Sequence, residues 1–266
     1  MYGGSLAQLV QWVWEHMPGY LAVLSRLSGL FVTAPVLSSR FLPVRVRVPL
    51  LLVLAAVLYP AVGDLQSTPW PWQGSLLAVY GSELLWGATM GFVANLVFIA
   101  VYVAGQIIDM EMGFGIVNVV DPVAGIQAPV VGNFLFILAL MLLLLGDGHH
   151  VVLGALWSSY RWVPVGAASI GEPVVTGVLR CFGRTFVAGI QLALPVAGAL
   201  FLTTLALGIV TRTVPQANVF VVGLPVKIGV GMVMLAAALP VYRLVMGGLF
   251  RAMYGDLSAL VRMMGR

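Results

Sequence analysis

The sequence predicts an all-α integral membrane protein, and three observations carry that reading. Of its 266 residues, 61% are hydrophobic and only 8% are charged, whereas a soluble domain is about one quarter charged. Several apolar runs exceed the roughly 18 residues that mark a membrane helix. These runs are continuous and rich in Leu, Ala and Gly, unlike the short alternating segments of a transmembrane barrel. A fold of this size has no interior large enough for so much apolar surface, so lipid or partner subunits must cover it.

Residues 1–18 read as an amphipathic lead-in, with Trp12 and Trp14 suited to the membrane–water interface and Pro18-Gly19 ending the helix. The first long apolar run is 19–37 and contains Arg26. A charge at mid-membrane costs about 2.5–3.5 kcal/mol on insertion scales, so Arg26 either faces protein or water or snorkels to an interface. Residues 38–49 form a loop carrying Arg40, Arg45 and Arg47, which predicts the cytoplasmic side. A second helix covers 50–62 and ends at Pro60. The linker 63–73 has no positive charge and fits the opposite face. A third helix is predicted over 74–104. It holds Glu83 and the pair Gly87 and Gly91, whose spacing lets two helices approach closely in lipid. Glu83 is expected to bond a neighbouring helix, with a proton relay as the sharper alternative.

The stretch 105–128 departs from this pattern. It combines the acids Asp109, Glu111 and Asp121 with Gly113, Phe114, Gly115, Asn118, Pro122 and Gly125, and has no Lys or Arg. Its glycines and its Asp-Pro step oppose a continuous helix. Irregular backbone at membrane depth persists only when buried in protein or lining an aqueous cavity. An apolar helix resumes over 129–145. Gly146-Asp147-Gly148-His149-His150 interrupts it, and apolar character returns to about Trp162. Two adjacent histidines beside an aspartate invite a metal reading. Neighbours on a helix point about 100° apart, however, and chelating pairs usually sit at i,i+4, so the segment is read as a polar cap and no metal site is predicted.

Residues 163–173 form a loop. A long helix follows over 174–210, with Arg180 and Arg184 on one face and Pro195 inside. Residues 211–227 make a second broken, polar stretch containing Arg212, Pro215, Gln216, Asn218, Gly223, Pro225 and Lys227. A final helix is placed at 228–250, and 251–266 is read as a tail on the cytoplasmic surface. Alternation over six spans puts this Arg-containing tail outside, whereas the positive-inside rule puts it inside. The conflict points to paired helices packed into an assembly rather than ordinary spans.

Charge is segregated: residues 1–47 carry a net +3, 48–160 a net −6 with no Lys or Arg, and 161–266 a net +7. No basic cluster is interleaved with aromatics, which excludes nucleic acid as a partner. The single cysteine, Cys181, excludes an intramolecular disulfide framework and is read as a small buried residue. The N-terminus lacks the basic region and cleavage site of a signal peptide, so the first helix is expected to be retained. A His-Glu-x-x-His zinc motif is absent from the sequence, and Ser158 and Ser159 lack the setting of a serine protease nucleophile. No enzyme activity and no cofactor are predicted.

Four ordered blocks resemble the FliR family of flagellar type III export-gate proteins. The first is Arg26 with Gly29 and Pro35. The second is Pro43-x-Arg45-x-Arg47 with the helix to Pro60. The third runs from Asp109 to His150, with Gly113-Phe114, Asn118-x-x-Asp121-Pro122, Pro129 and Asp147-Gly148-His149-His150. The fourth is Arg212-x-x-Pro215-Gln216-x-Asn218 with Gly223-x-Pro225. Any one block is weak; the ordered set is specific and covers nearly the whole chain. The resemblance implies a multi-pass subunit of the bacterial inner membrane at the flagellar basal body, a single export-gate domain over 1–266. It would comprise N-terminal helices (1–104), a plug-like loop (105–128) and C-terminal helical hairpins (129–266). FliP-like, FliQ-like and FlhB-like subunits would be its partners and unfolded flagellar proteins its cargo. The residues from Asp109 to Gly125 would then belong to the plug. Arg26, Glu83, Gly87, Gly91 and the residues between Arg212 and Lys227 would serve subunit packing or gating. The competing function is a secondary transporter, with Glu83, Asp109 and Glu111 as ion-coupling acids at a broken helix.

Overall fold

The computed structural model describes residues 3–35, 37–38, 42–65, 75–115, 129–167, 171–213 and 219–264. Among them the chain is helical with no strand. The helices are α1 (Gly3–Thr33), α2 (Val44–Leu65), α3 (Leu76–Met112), α4 (Val130–Leu145), α5 (Gly148–Trp162), α6 (Glu172–Thr213) and α7 (Val219–Met264). In a hydrocarbon solvent every backbone donor and acceptor must be satisfied within the segment, so continuous apolar runs become helices.

That constraint also explains where sequence reading placed too many breaks. The lead-in and first apolar run are one helix, because α1 passes through Pro18. The loop 38–49 is shorter than expected: α2 starts at Val44, so Arg45 and Arg47 lie in its opening turns and Pro49 within it. Helix α3 continues past Gly105 to Met112, which makes Asp109 and Glu111 helical. Gly223, Pro225 and Lys227 lie on α7, and the supposed tail is its last four turns. A proline removes one hydrogen bond. Ending a helix in lipid exposes several polar groups, so continuing through the proline is the smaller cost. The helix predicted over 129–145 and the break at Gly146–Gly148 coincide with the structure.

Among the described residues four helical segments are long and apolar enough to cross a membrane: Val44–Gly63, Leu76–Met112, Glu172–Thr213 and Val221–Met263; α4 with α5 makes a fifth if taken as one broken span. Helix α1 is instead a packing helix over its second half, where Ala22, Val23, Leu27, Leu30 and Phe31 are buried.

The chain forms two compact units. The first comprises residues up to Asn95, Asp147–Cys181 and those from Met253 onward; the second comprises Leu96–Gly146 and Phe182–Ala252. In the first, α2 packs on α1 and α5, and the Tyr20 hydroxyl on α1 donates to the Leu52 carbonyl on α2 (3.2 Å). Helices α1 and α3 meet backbone to backbone. A Cβ added to Gly87 would overlap the Arg26 carbonyl, one on Gly29 the Leu84 carbonyl, and one on Gly91 the Thr33 hydroxyl. The Thr33 hydroxyl also donates to the Ala88 carbonyl at 2.9 Å. The packing expected from the spacing of Gly87 and Gly91 is thus present, with Gly29 as its counterpart on α1.

In the second unit the C-terminal part of α3 is the common element. Phe98 stacks edge-on with Phe136 of α4 at 5.6 Å and lies 6.0 Å from Phe250 of α7, centroid to centroid. Gly105 touches Gly132 of α4 so closely that a Cβ would overlap its backbone. Gly189 of α6 lies against the Ala100 carbonyl, and Gly231 of α7 against the Met112 side chain. Gly105 is therefore a packing position rather than a helix end.

Candidate functional site

Two buried acids organise the two units. In the first unit Arg26 and Glu83 are completely buried. The Arg26 Nε donates to Glu83 Oε2 at 2.5 Å. Its Nη1 donates to the Ser159 hydroxyl and its Nη2 to the Val163 carbonyl, both at 3.1 Å. The other Glu83 oxygen accepts from the Gly166 backbone N–H at 2.8 Å. The guanidinium carbon lies 4.2 Å from the centre of the Tyr160 ring, a cation–π contact. Gly166 has φ 84°, the left-handed region glycine tolerates, so the backbone can turn its N–H onto the acid.

Arg26 therefore does not snorkel. Burying an unpaired ion in a low-dielectric interior costs several kcal/mol, and only good geometry with further hydrogen bonds offsets that cost. Both conditions hold, and one network fixes α1, α3, α5 and the segment after α5. Sequence reasoning named Arg26 and Glu83 without pairing them and missed Ser159, Tyr160, Val163 and Gly166. The available signal was two lone, opposite charges in neighbouring apolar helices, which in a membrane protein normally find each other.

In the second unit Asp109 is 5% exposed. One carboxylate oxygen accepts from the Val131 N–H (3.0 Å) and the other from the Gly132 N–H (3.1 Å). These are free donors of the first turn of α4, whose N-cap residue, Pro129, has no side chain to cap them. Asp109 supplies that cap from α3, and its negative charge meets the positive end of the α4 dipole. The same helix α3 ends three residues later, at Met112. Gly113 takes φ 89°, and the Phe114 N–H returns to the Asp109 carbonyl at 3.0 Å. Asp109 thus ties the two helices on either side of the acidic, glycine-rich stretch. Glu111, Gly113, Phe114 and Gly115 are half-buried. Asn118, Asp121, Pro122 and Gly125 lie outside the described residues, as do Pro215, Gln216 and Asn218.

Of the remaining predicted residues, Arg212 is exposed in the last turn of α6, where a positive charge suits the dipole. On α7 Gly223 is buried, Pro225 is exposed and Lys227 is half-buried. Cys181 is buried, as expected.

Burial is uneven. In the membrane-length windows, 56% of α3 is buried, against 17% of α6, 22% of α7 and 11% of α2. Large apolar side chains are exposed along α6 from Val175 to Val210, including Phe186, Ile190, Phe201 and Ile209. At a helical rise of about 1.5 Å per residue this stripe is ~53 Å long, against a hydrocarbon core of about 30 Å. Even a tilt of about 40°, the upper end of the usual range, leaves ~40 Å along the membrane normal.

The family model described as bacterial export proteins, family 1, matches residues 17–253. The flagellar biosynthetic protein FliR of Bacillus subtilis is 36% identical over 254 residues, covering 94% of this chain and 97% of that protein. The FliR protein of Escherichia coli is 30% identical over 252 residues, with 94% and 95% coverage. The Yop proteins translocation protein T of Yersinia pestis is 30% identical over 233 residues, with 86% and 88% coverage.

Proposed function

The chain belongs to the FliR family of bacterial export proteins, and from that premise we propose that it is a structural and gating subunit of the flagellar type III export channel. Membership makes it a membrane-embedded component of type III export. The finer reading is that it assembles in the bacterial inner membrane with FliP-like and FliQ-like subunits beside an FlhB-like one, and forms the entrance for unfolded flagellar proteins.

One observation carries the assembly. The exposed apolar stripe of α6 is longer than the hydrocarbon core of a bilayer, which suits part of it to contact with protein, and neighbouring gate subunits are the partners that this family implies. The secondary-transporter reading loses support, because Glu83 and Asp109 are both committed to buried partners.

Within the assembly the segment after Gly113 acts as the closure. A rigid frame supports this role: Asp109 holds the start of α4, and Gly105 holds it against α3. Its glycines, Gly115 and Gly125, lower the cost of changing backbone geometry.

Mild detergent extraction followed by purification tests the assembly: recovery with FliP and FliQ homologues is expected, and a stable solitary protein would overturn it. Deleting Ile116–Gly125 in the assembled gate is expected to raise resting ion conductance. An unchanged conductance, with the complex intact, sinks the closure.

A further inference from the structure

The turn between α4 and α5 gathers three metal-ligating side chains that neither the buried networks nor the proposed gate uses. Asp147, His149 and His150 each offer one donor atom, and these atoms lie within 4.8 Å of one another. We propose that they form a site for a borderline divalent transition-metal ion of the Zn²⁺ class, which staples the first turn of α5 to the turn before it.

Four features of the turn support this. Asp147 occupies the N-cap of α5, yet its carboxylate makes no capping hydrogen bond. That carboxylate lies 3.6 Å from His150 Nδ1, too far for a hydrogen bond. The Nδ1 of His149 is buried and has no hydrogen-bond partner among the described residues. Finally, the two imidazole rings face each other, with centroids 4.1 Å apart and planes inclined by 38°.

Asp147 explains why sequence spacing missed the convergence. It adopts φ 52°, ψ 25°, the left-handed conformation, which Asp tolerates better than most residues. The left-handed turn at the start of the helix leaves the aspartate 3.6 Å from His150, three residues on. Adjacent histidines on a regular helix would have lacked this third donor.

The donor chemistry selects the metal. Two imidazoles and one carboxylate suit Zn²⁺, Ni²⁺ or Cu²⁺ rather than Mg²⁺ or Ca²⁺, which take oxygen ligands. Donors on a tetrahedral ion at ~2.1 Å would be about 3.4 Å apart, so the side chains must close slightly. The side chains of Asp147 and His150 are 78% and 70% exposed and can rotate to do so. Water would complete the coordination. The positive end of the α5 dipole opposes a cation, and the Asp147 charge offsets it.

The test uses the full-length protein, purified without a histidine tag, stripped with chelator and titrated with Zn²⁺ by calorimetry. One saturable equivalent is expected. Asp147→Asn and His150→Gln should each weaken binding by about tenfold or more, while His16→Gln, the chain's third histidine, should leave it unchanged. Zn²⁺ should also slow amide hydrogen exchange over 148–151 in the parent protein and not in the variants. Absence of saturable binding, or binding that survives both site substitutions, overturns the site. Helical circular dichroism checks that each variant folds. Should one fail to fold, the other decides, and the exchange measurement on the parent protein reports independently of both.

Discussion

Glu83 and Asp109 are both buried acids on helix α3, and the chain satisfies them by opposite means. Glu83 meets a full positive charge, the Arg26 guanidinium, together with the Gly166 N–H. Among the described residues Asp109 meets no formal charge; two backbone N–H groups at the start of α4 satisfy it. A guanidinium left behind is an uncompensated buried ion. Helix N–H groups left behind are unsatisfied dipoles that water or a local adjustment can partly serve. Glu83 thus secures the packing of a whole unit, whereas Asp109 secures one junction, beside the segment proposed to move.

The largest effect is expected at Glu83. Glu83→Ala is expected to destabilise the protein by about 3–5 kcal/mol, because Arg26 stays buried without its partner. Thermal inactivation in detergent measures this. Replacing Arg26 and Glu83 together by leucines should recover much of the loss, since no ion is then stranded. A double variant as unstable as the single one would show that the charge pair is not the cause.

Gly87→Val comes next. Its side chain would enter the space of the Arg26 carbonyl, and overpacking of this kind costs about 1–3 kcal/mol or more. The same assay should rank it below Glu83→Ala and well above Gly81→Val, since a Cβ at Gly81 meets nothing within 4 Å.

Asp109→Ala leaves two N–H groups unpaired and should cost about 1–3 kcal/mol. Amide hydrogen exchange gives the decisive signature: Val131 and Gly132 should exchange faster while the α1–α3 contact keeps its protection. Loss of protection throughout the chain would assign Asp109 the same role as Glu83 and erase the distinction.

The smallest effect is expected at Gly113→Ala. With φ 89°, a Cβ costs about 1–2 kcal/mol. Stability should fall slightly, and gate conductance should change more than stability does if the segment beyond Gly113 moves.

Much of the architecture was legible in the residues. Continuous apolar runs required helices, the break at Gly146–Gly148 was visible as a polar interruption, and the ordered motifs identified the family. Gly87 and Gly91 were read as a packing pair and are one. Gly105, Pro18 and Pro225 were misread for a single reason. Locally each opposes a helix, but the alternative in an apolar environment is a set of unsatisfied backbone groups. Gly105 in particular serves the approach of Gly132 from α4, a use that leaves no trace in neighbouring residues. Ser159, Tyr160 and Val163 could not be assigned to Arg26 from spacing, since they lie more than 130 positions away, nor Gly166 to Glu83, 83 positions apart.

Hydrophobic run length and motif order are properties of the chain, and they specify an all-α membrane protein of the FliR family. What its few buried charges do depends on the fold. Spacing alone left Glu83 and Asp109 open to proton or ion coupling. The fold gives each buried partners, because a charge withdrawn from water must be met by another charge or by backbone donors, and which of these lies within hydrogen-bond reach is set by packing.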